Sequence, residues 1–424
     1  MRRSYGVGYL VLAVLVLAPL GVRLLTRASP PRHAQDDSMA QAGKELFEHE
    51  WKPHDPLSPG GDGLGPVFNA SSCVACHHQG GPGGSGGLAH NVTVFSVGVG
   101  TATRQGVVHA RAVSPAFQET LALVHPDLPR IAQPALSMLL ALPGNSAGVL
   151  MAPAGVRLSQ RNTPALFGAK LIDEIPDRVL IAAERAQRVR WGMAPVGSEK
   201  LPVGRAARLA EGRVGKFGWK AQSASLADFV RAACANELGL GNPGQAQPRP
   251  MGQPGYQTPG LDLTDRQCDE LTAFVAALPR PRESVPAGPE GEQARAGKRL
   301  FRQVGCADCH TPDLGGVEGL YSDLLLHRMG RPLEGGGSYY GQPPPPAPSD
   351  PSPGGGPSSD EWRTPPLWGV ADSAPYLHDG RARTLEEAIQ LHAGQAASSA
   401  ARFARLSTAQ QAQLIAFLKT LRAP

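Results

Sequence analysis

Beyond residue 32 the chain has no excess of charge of either sign. Arg2, Arg3, Arg23, Arg27 and Arg32 lie before that point without any acid; of the total of 41 Lys and Arg, 36 remain, against 36 Asp and Glu. A protein that grips nucleic-acid phosphates needs a clustered excess of Lys and Arg, so that class of partner is excluded. The chain also lacks a comfortable transmembrane span. Its amino-terminal apolar run, Val7 to Val22, is 16 residues long and broken by Pro19, short of the ~20 residues a spanning helix needs. Behind the basic start Met1-Arg2-Arg3, that run reads as an export signal. No clean small-x-small cleavage site follows it, which leaves a cleaved signal peptide and a retained membrane anchor both open. Either places the protein in the periplasm, soluble or anchored.

With 424 residues, the chain exceeds what one hydrophobic core usually organises, and two domains are expected. The 41% apolar and 18% charged residues are a globular balance, yet 51 Gly and 41 Pro make up about a fifth of the chain, just short of the general-disorder range. Folded modules joined by long irregular segments are the expectation.

Cysteine is sparse, and its spacing is informative. Cys73-Val74-Ala75-Cys76-His77 and Cys306-Ala307-Asp308-Cys309-His310 both match C-x-x-C-H, in which two thiols add to the vinyl groups of a haem and the adjacent His supplies the proximal ligand to iron. The competing readings are a zinc site built from both pairs and a thioredoxin-like dithiol. Two copies, each followed by His, on a chain with an export signal favour two covalently bound c-type haems. Cys234 and Cys268 remain, as a disulfide or as two inert buried thiols.

The motifs sit in a repeat. Ala42-Gly43-Lys44-Glu45-Leu46-Phe47 precedes the first, and Ala296-Gly297-Lys298-Arg299-Leu300-Phe301 the second; a helix is expected at each. Downstream, Thr264 with Gln267 and Ser407 with Gln410 have capping-box spacing. Each opens an apolar stripe, Leu271, Phe274, Val275 and Leu278 in one case, Leu414, Phe417, Leu418 and Leu421 in the other. Helix, haem motif and closing helix, twice over, predict a mainly α fold of two cytochrome c-like modules. The first spans 39–278 with large irregular insertions, 279–290 is a linker, and the second spans 291–424. Gly80 to Gly87 is a Gly-rich loop beside the first motif, and Pro343 to Pro346 lie in an extended surface excursion over 341–358.

Several further phrases carry a family resemblance. They are Gly63-Leu64-Gly65-Pro66-Val67-Phe68-Asn69, Leu171-Ile172-Asp173-Glu174-Ile175-Pro176-Asp177, Gly215-Lys216-Phe217-Gly218-Trp219-Lys220-Ala221, Tyr321-Ser322-Asp323-Leu324-Leu325-Leu326-His327 and Ala374-Pro375-Tyr376-Leu377-His378-Asp379-Gly380. With these the chain resembles the bacterial di-haem oxidoreductases often labelled thiol oxidoreductases, themselves similar to di-haem cytochrome c peroxidases. Relatives on this scaffold include peroxidases, protein-modifying oxidases and rubber-cleaving dioxygenases, so the resemblance implies redox chemistry without fixing a substrate.

The resemblance also implies site residues. Peroxidase-like relatives often carry Met before the His of the last phrase, as a ligand to the second iron; here that position is Leu377, which has no donor. His378 is then the first choice for sixth ligand and Met329 the second. His90, after the Gly-rich loop, is a candidate labile ligand at the first haem. Glu174, between Ile172 and Ile175, is the candidate acid, because peroxide heterolysis needs a proton carrier and an apolar setting raises a carboxyl pKa. Trp219 is a candidate electron relay between the haems. The favoured function is a peroxidase-like enzyme taking peroxide or dioxygen, with a small redox protein as electron donor. The alternatives are a non-catalytic electron-transfer cytochrome and a haem dioxygenase acting on an organic substrate.

Overall fold

The computed structural model describes residues 32–98, 104–128, 130, 153, 155–193, 200–336 and 356–424. The expected leader, save its last residue, and Pro343 to Pro346 lie outside the described residues. Among the described residues no helix is long and apolar enough to cross a membrane.

The fold is mainly helical with some strands. Its principal helices are α1 (Arg32–Glu48), α2 (Asp177–Arg190), α3 (Leu226–Leu238), α4 (Asp265–Ala277), α5 (Gly288–Gln303) and α6 (Thr408–Leu418). Both expected capping boxes form: the Thr264 and Ser407 side chains accept from the backbone N–H of Gln267 and Gln410, at 3.2 and 3.3 Å, and each Gln side chain reaches back to its cap. Helix α1 packs along α4, and α5 packs along α6. The repeated AGK phrase marks those two crossings. A Cβ on Gly43 would lie 1.8 Å from the Glu270 carbonyl oxygen, and one on Gly297 would lie 1.8 Å from that of Gln413. Only glycine lets the backbones approach so closely.

Two main cores follow from these pairs. Phe47, Leu271, Phe274 and Val275 belong to one, and Phe301, Leu414, Phe417 and Leu418 to the other, each fully buried Leu or Phe worth about 1.5–3 kcal/mol. The first core also takes in Leu314, Leu320, Leu324, Leu325 and Trp368 from the carboxy-terminal half. The apolar interior is therefore shared across residues 279–290. Cys234 on α3 and Cys268 on α4 are buried in it as free thiols.

Within the large first insertion the chain forms a three-stranded antiparallel sheet, β1 (Val92–Val97), β2 (Arg104–Val108) and β3 (Val156–Arg161), in the order β2-β1-β3. Phe95 pairs with Gly106 on one side and Leu158 on the other, and packs with Leu121 and Val124 in a small separate cluster. A two-stranded ribbon, β4 (Leu326–Arg328) and β5 (Glu361–Arg363), sets His327 opposite Trp362.

Candidate functional site

The short helix Cys73–Cys76 is capped by the Ser72 hydroxyl, which accepts from Ala75 N at 3.2 Å. At the end of this turn His77 donates from Nδ1 to the Gly84 carbonyl, 3.1 Å away. The Gly-rich loop folds back to supply that carbonyl. Gly80, Gly81 and Gly83 have φ of +81°, +119° and +92°, and a Cβ on Gly84 would lie 1.7 Å from the Gln79 carbonyl oxygen. The second motif repeats the device without glycine. His310 donates from Nδ1 to the Tyr321 carbonyl at 3.0 Å, and Tyr321 turns it inward with φ +51°, a conformation that costs about 1–3 kcal/mol for a non-glycine residue. A carbonyl at Nδ1 fixes the tautomer and leaves the Nε2 lone pair as the donor for a metal. Burial pushes both imidazoles down to about 4, so both are neutral, as iron ligation requires.

Burial pushes the Cys73, Cys76 and Cys306 thiols up to about 12, and that of Cys309 upward too. The two CxxC pairs are not brought together into one four-sulfur site: among the described residues the only cluster of three metal-type donors is Cys309, Asp323 and His327. Both His327 nitrogens are engaged there, Nδ1 with Gln395 Oε1 at 2.7 Å and Nε2 with Asp323 Oδ2 at 2.8 Å.

A mostly apolar cavity adjoins the second motif. Cys306, Cys309 and His310 stand on its wall, as do Met329, His378, His392 and Trp219; Phe217, Phe229 and Trp368 are among the aromatic rings on it. It reaches Ser85 in the Gly-rich loop but is not walled by Cys73, Cys76 or His77. Arg363 brings buried positive charge to the wall, its Nε bonded to the Gly218 carbonyl, and burial pulls its pKa down to about 10. An apolar slot flanked by two thiols, a neutral imidazole with no partner at Nε2 among the described residues and a buried cation suits a haem, whose carboxylates such a cation would offset.

The structure brings His378, Met329 and Trp219 together on this cavity and separates the other candidates. His378 lies flat on Trp362, ring centroids 3.7 Å apart at 16°, and burial pushes it down to about 3. Trp219 donates from Nε1 to the Asn162 carbonyl at 2.8 Å. Asn162 is a junction: its side chain donates to the Gly86 carbonyl, and its own N–H to the His378 carbonyl at 2.7 Å. The indole is thereby tied both to the first loop and to the second site.

His90 is half-buried, with Nδ1 3.7 Å from Cys76 Sγ, so it lies beside a motif sulfur. The apolar enclosure expected for Glu174 is not formed. Its side chain is 60% exposed, 4.0 Å from Lys170, and it is not on the cavity wall. The flanking acids are the ones turned inward, where Asp173 accepts from Leu226 N at 3.0 Å and Asp177 from Val214 N at 2.9 Å. Lys216 Nζ binds the carbonyls of residues 173 and 175. With both neighbours pinned to the protein, Glu174 faces out. Sequence reasoning missed His392, which follows an ordinary amphipathic turn and belongs to no spacing motif, and Asn162, whose role depends on contacts distant in sequence.

A family model described as "Di-haem oxidoreductase, putative peroxidase" matches residues 149–421. No curated protein matches. Among solved structures, the chain is similar to a hydrazine synthase of Kuenenia stuttgartiensis, at 15% identity and TM-score 0.39 over 99% of this chain and 100% of that one. It is similar to the diheme peroxidase BthA of Burkholderia thailandensis, at 18% identity and TM-score 0.33 over 91% and 86%. It is also similar to a MauG-like protein associated with microbial copper homeostasis, at 20% identity and TM-score 0.30 over 59% and 90%. With TM-scores from 0.30 to 0.39, these are loose likenesses.

Proposed function

Because the chain belongs to the di-haem oxidoreductase family, we propose that it is an exported, peroxidase-like enzyme holding two c-type haems, attached through Cys73 and Cys76 and through Cys306 and Cys309. His77 and His310 are the proximal ligands. The observation that carries this reading is the shared device at the two motifs, an imidazole with Nδ1 bound to a carbonyl and Nε2 left for iron, next to two protonated thiols in a C-x-x-C turn.

Bound haem supplies the redox chemistry; the chain's part is to hold, orient and insulate it. Tyr321 and Gly84 set the direction of the two proximal rings. Arg363 offers a buried cation for a carboxylate, and the aromatic wall excludes water. Trp219 lies on the wall, held by Asn162, and in this proposal it is the relay for electrons passing between the haems. Peroxide is the proposed substrate and a small redox protein the proposed donor.

The test is a pyridine haemochrome count on protein matured in a periplasm, followed by EPR of the oxidised form and mixing with hydrogen peroxide after partial reduction. Two covalent haems per chain, one of them high-spin and peroxide-reactive, are expected. Two low-spin signals with no peroxide reaction would make the protein an electron carrier. One haem or none would overturn the attachment.

A further inference from the structure

Four histidines line the cavity beside the second motif: His310, His327, His378 and His392. His310 is the proximal ligand of the proposed haem. Both nitrogens of His327 face acceptors, Gln395 Oε1 and Asp323 Oδ2, so neither offers a lone pair to a metal. His378 has no carbonyl at Nδ1 among its hydrogen bonds; it lies against the indole of Trp362, with Asp379 Oδ2 3.7 Å from its Nε2. Buried Arg161 and Arg381 are among the charges that act on it. Those charged surroundings and the stacked indole engage the ring with the protein and leave it without the Nδ1 carbonyl brace of His77 and His310.

His392 differs from all of these. It follows the short helix Leu385–Gln390 and donates from Nδ1 to the Ala388 carbonyl at 2.6 Å. This is the bracing that Tyr321 gives His310 and Gly84 gives His77: one nitrogen protonated and anchored, the other left as an in-plane donor. Among the described residues Nε2 of His392 has no hydrogen-bond partner, although its ring is on the cavity wall. It shares that wall with His310. Two imidazoles, each braced at Nδ1 by a carbonyl and standing on one apolar wall, are the arrangement of a pair of axial ligands.

We infer that His392 is the sixth ligand of the haem carried by Cys306 and Cys309, giving an iron held by two imidazoles and closed to exogenous ligands. The inference rests on the proposal that a haem sits there, and it makes this site the electron-passing one. Peroxide chemistry is then left to the other iron.

The test takes the matured two-haem protein and its His392→Gly, His392→Met and His378→Gly variants, read by EPR and by the near-infrared charge-transfer band that separates bis-imidazole from imidazole–thioether iron. In the wild type the low-spin haem should give the bis-imidazole band. His392→Gly should turn that low-spin signal high-spin, and added imidazole should restore it; His392→Met should move the band to the imidazole–thioether position with both haems retained. His378→Gly should leave the low-spin signal in place. An imidazole–thioether band in the wild type would assign the iron to Met329, and loss of the low-spin signal in His378→Gly alone would assign it to His378; either overturns the inference. Should His392→Gly not accumulate, His392→Met decides. A wild-type count below two haems per chain would instead remove the haem reading on which the ligand rests.

Discussion

The two C-x-x-C-H sites are alike where the sequence repeats and differ where it does not. Each is framed by an opening helix that touches a closing helix at a glycine, Gly43 on Glu270 and Gly297 on Gln413, and each histidine is braced by a carbonyl. In both, a second imidazole stands against the later cysteine, His90 at 3.7 Å from Cys76 and His327 at 3.6 Å from Cys309. The likeness ends there. His90 is half-buried beside the open ring of His78, whereas His327 is buried and held between Asp323 and Gln395. The repeated parts thus build the same frame twice, and the surrounding polar contacts give each copy its own character.

The comparison can be broken most severely at the cysteines. Replacing Cys306 and Cys309 together by Ser should lower the haem count from two to one while leaving the first site's spectrum in place; loss of both haems would mean that the sites do not load independently. Next in size is Asp323→Asn. Burial opposes charge on His327, but the Asp323 carboxylate, bonded to its Nε2, overcomes it and holds the ring's pKa well above its usual value. A base whose folded pKa is raised contributes stability in full below its unfolded pKa of ~6.5 and loses it as pH climbs through the folded value. Asp323→Asn should therefore cost about 3–5 kcal/mol at neutral pH, the range for breaking a buried pair, and flatten the alkaline fall of the melting temperature; His90→Ala should do neither.

Gly43→Val and Gly297→Val test the shared frame. Each forces two helix backbones apart and should cost about 3 kcal/mol or more in chemical denaturation, with haem loss confined to the half that carries the change. Trp219→Phe removes one hydrogen bond to Asn162, worth about 0.5–1.5 kcal/mol, and should slow electron passage in stopped-flow reduction while leaving peroxide binding unchanged. The smallest effect belongs to Glu174→Gln. An exposed side chain off the cavity should change stability by less than about 0.5 kcal/mol and leave peroxide turnover within about twofold, in contrast to the ~10²- to 10⁴-fold loss expected of a general acid.

What the sequence made legible was local. The capping boxes and the AGK helices each depend on residues a few positions apart, and all of those elements form. Glu174 was misread because the phrase Ile172 to Ile175 shows apolar neighbours but not which way each side chain turns; inward-facing Asp173 and Asp177 settle that through partners at Leu226 and Val214. His392 was invisible because its meaning comes from standing on the same cavity wall as His310. The β1–β3 sheet was absent from a reading built on helix periodicity, although Val92 to Val97 is rich in residues that favour strands. The sharing of Leu314 to Leu325 with the first core has no sequence signature at all.

The junction around Asn162 has a consequence for biogenesis. Neighbouring Asn91 donates to the Asp379 carbonyl 288 positions further along the chain, and Asn162 itself is satisfied by His378. A ribosome delivers the amino-terminal motif long before those carbonyls exist. The segment that follows the Gly-rich loop therefore completes these two contacts only once the last part of the polypeptide is present.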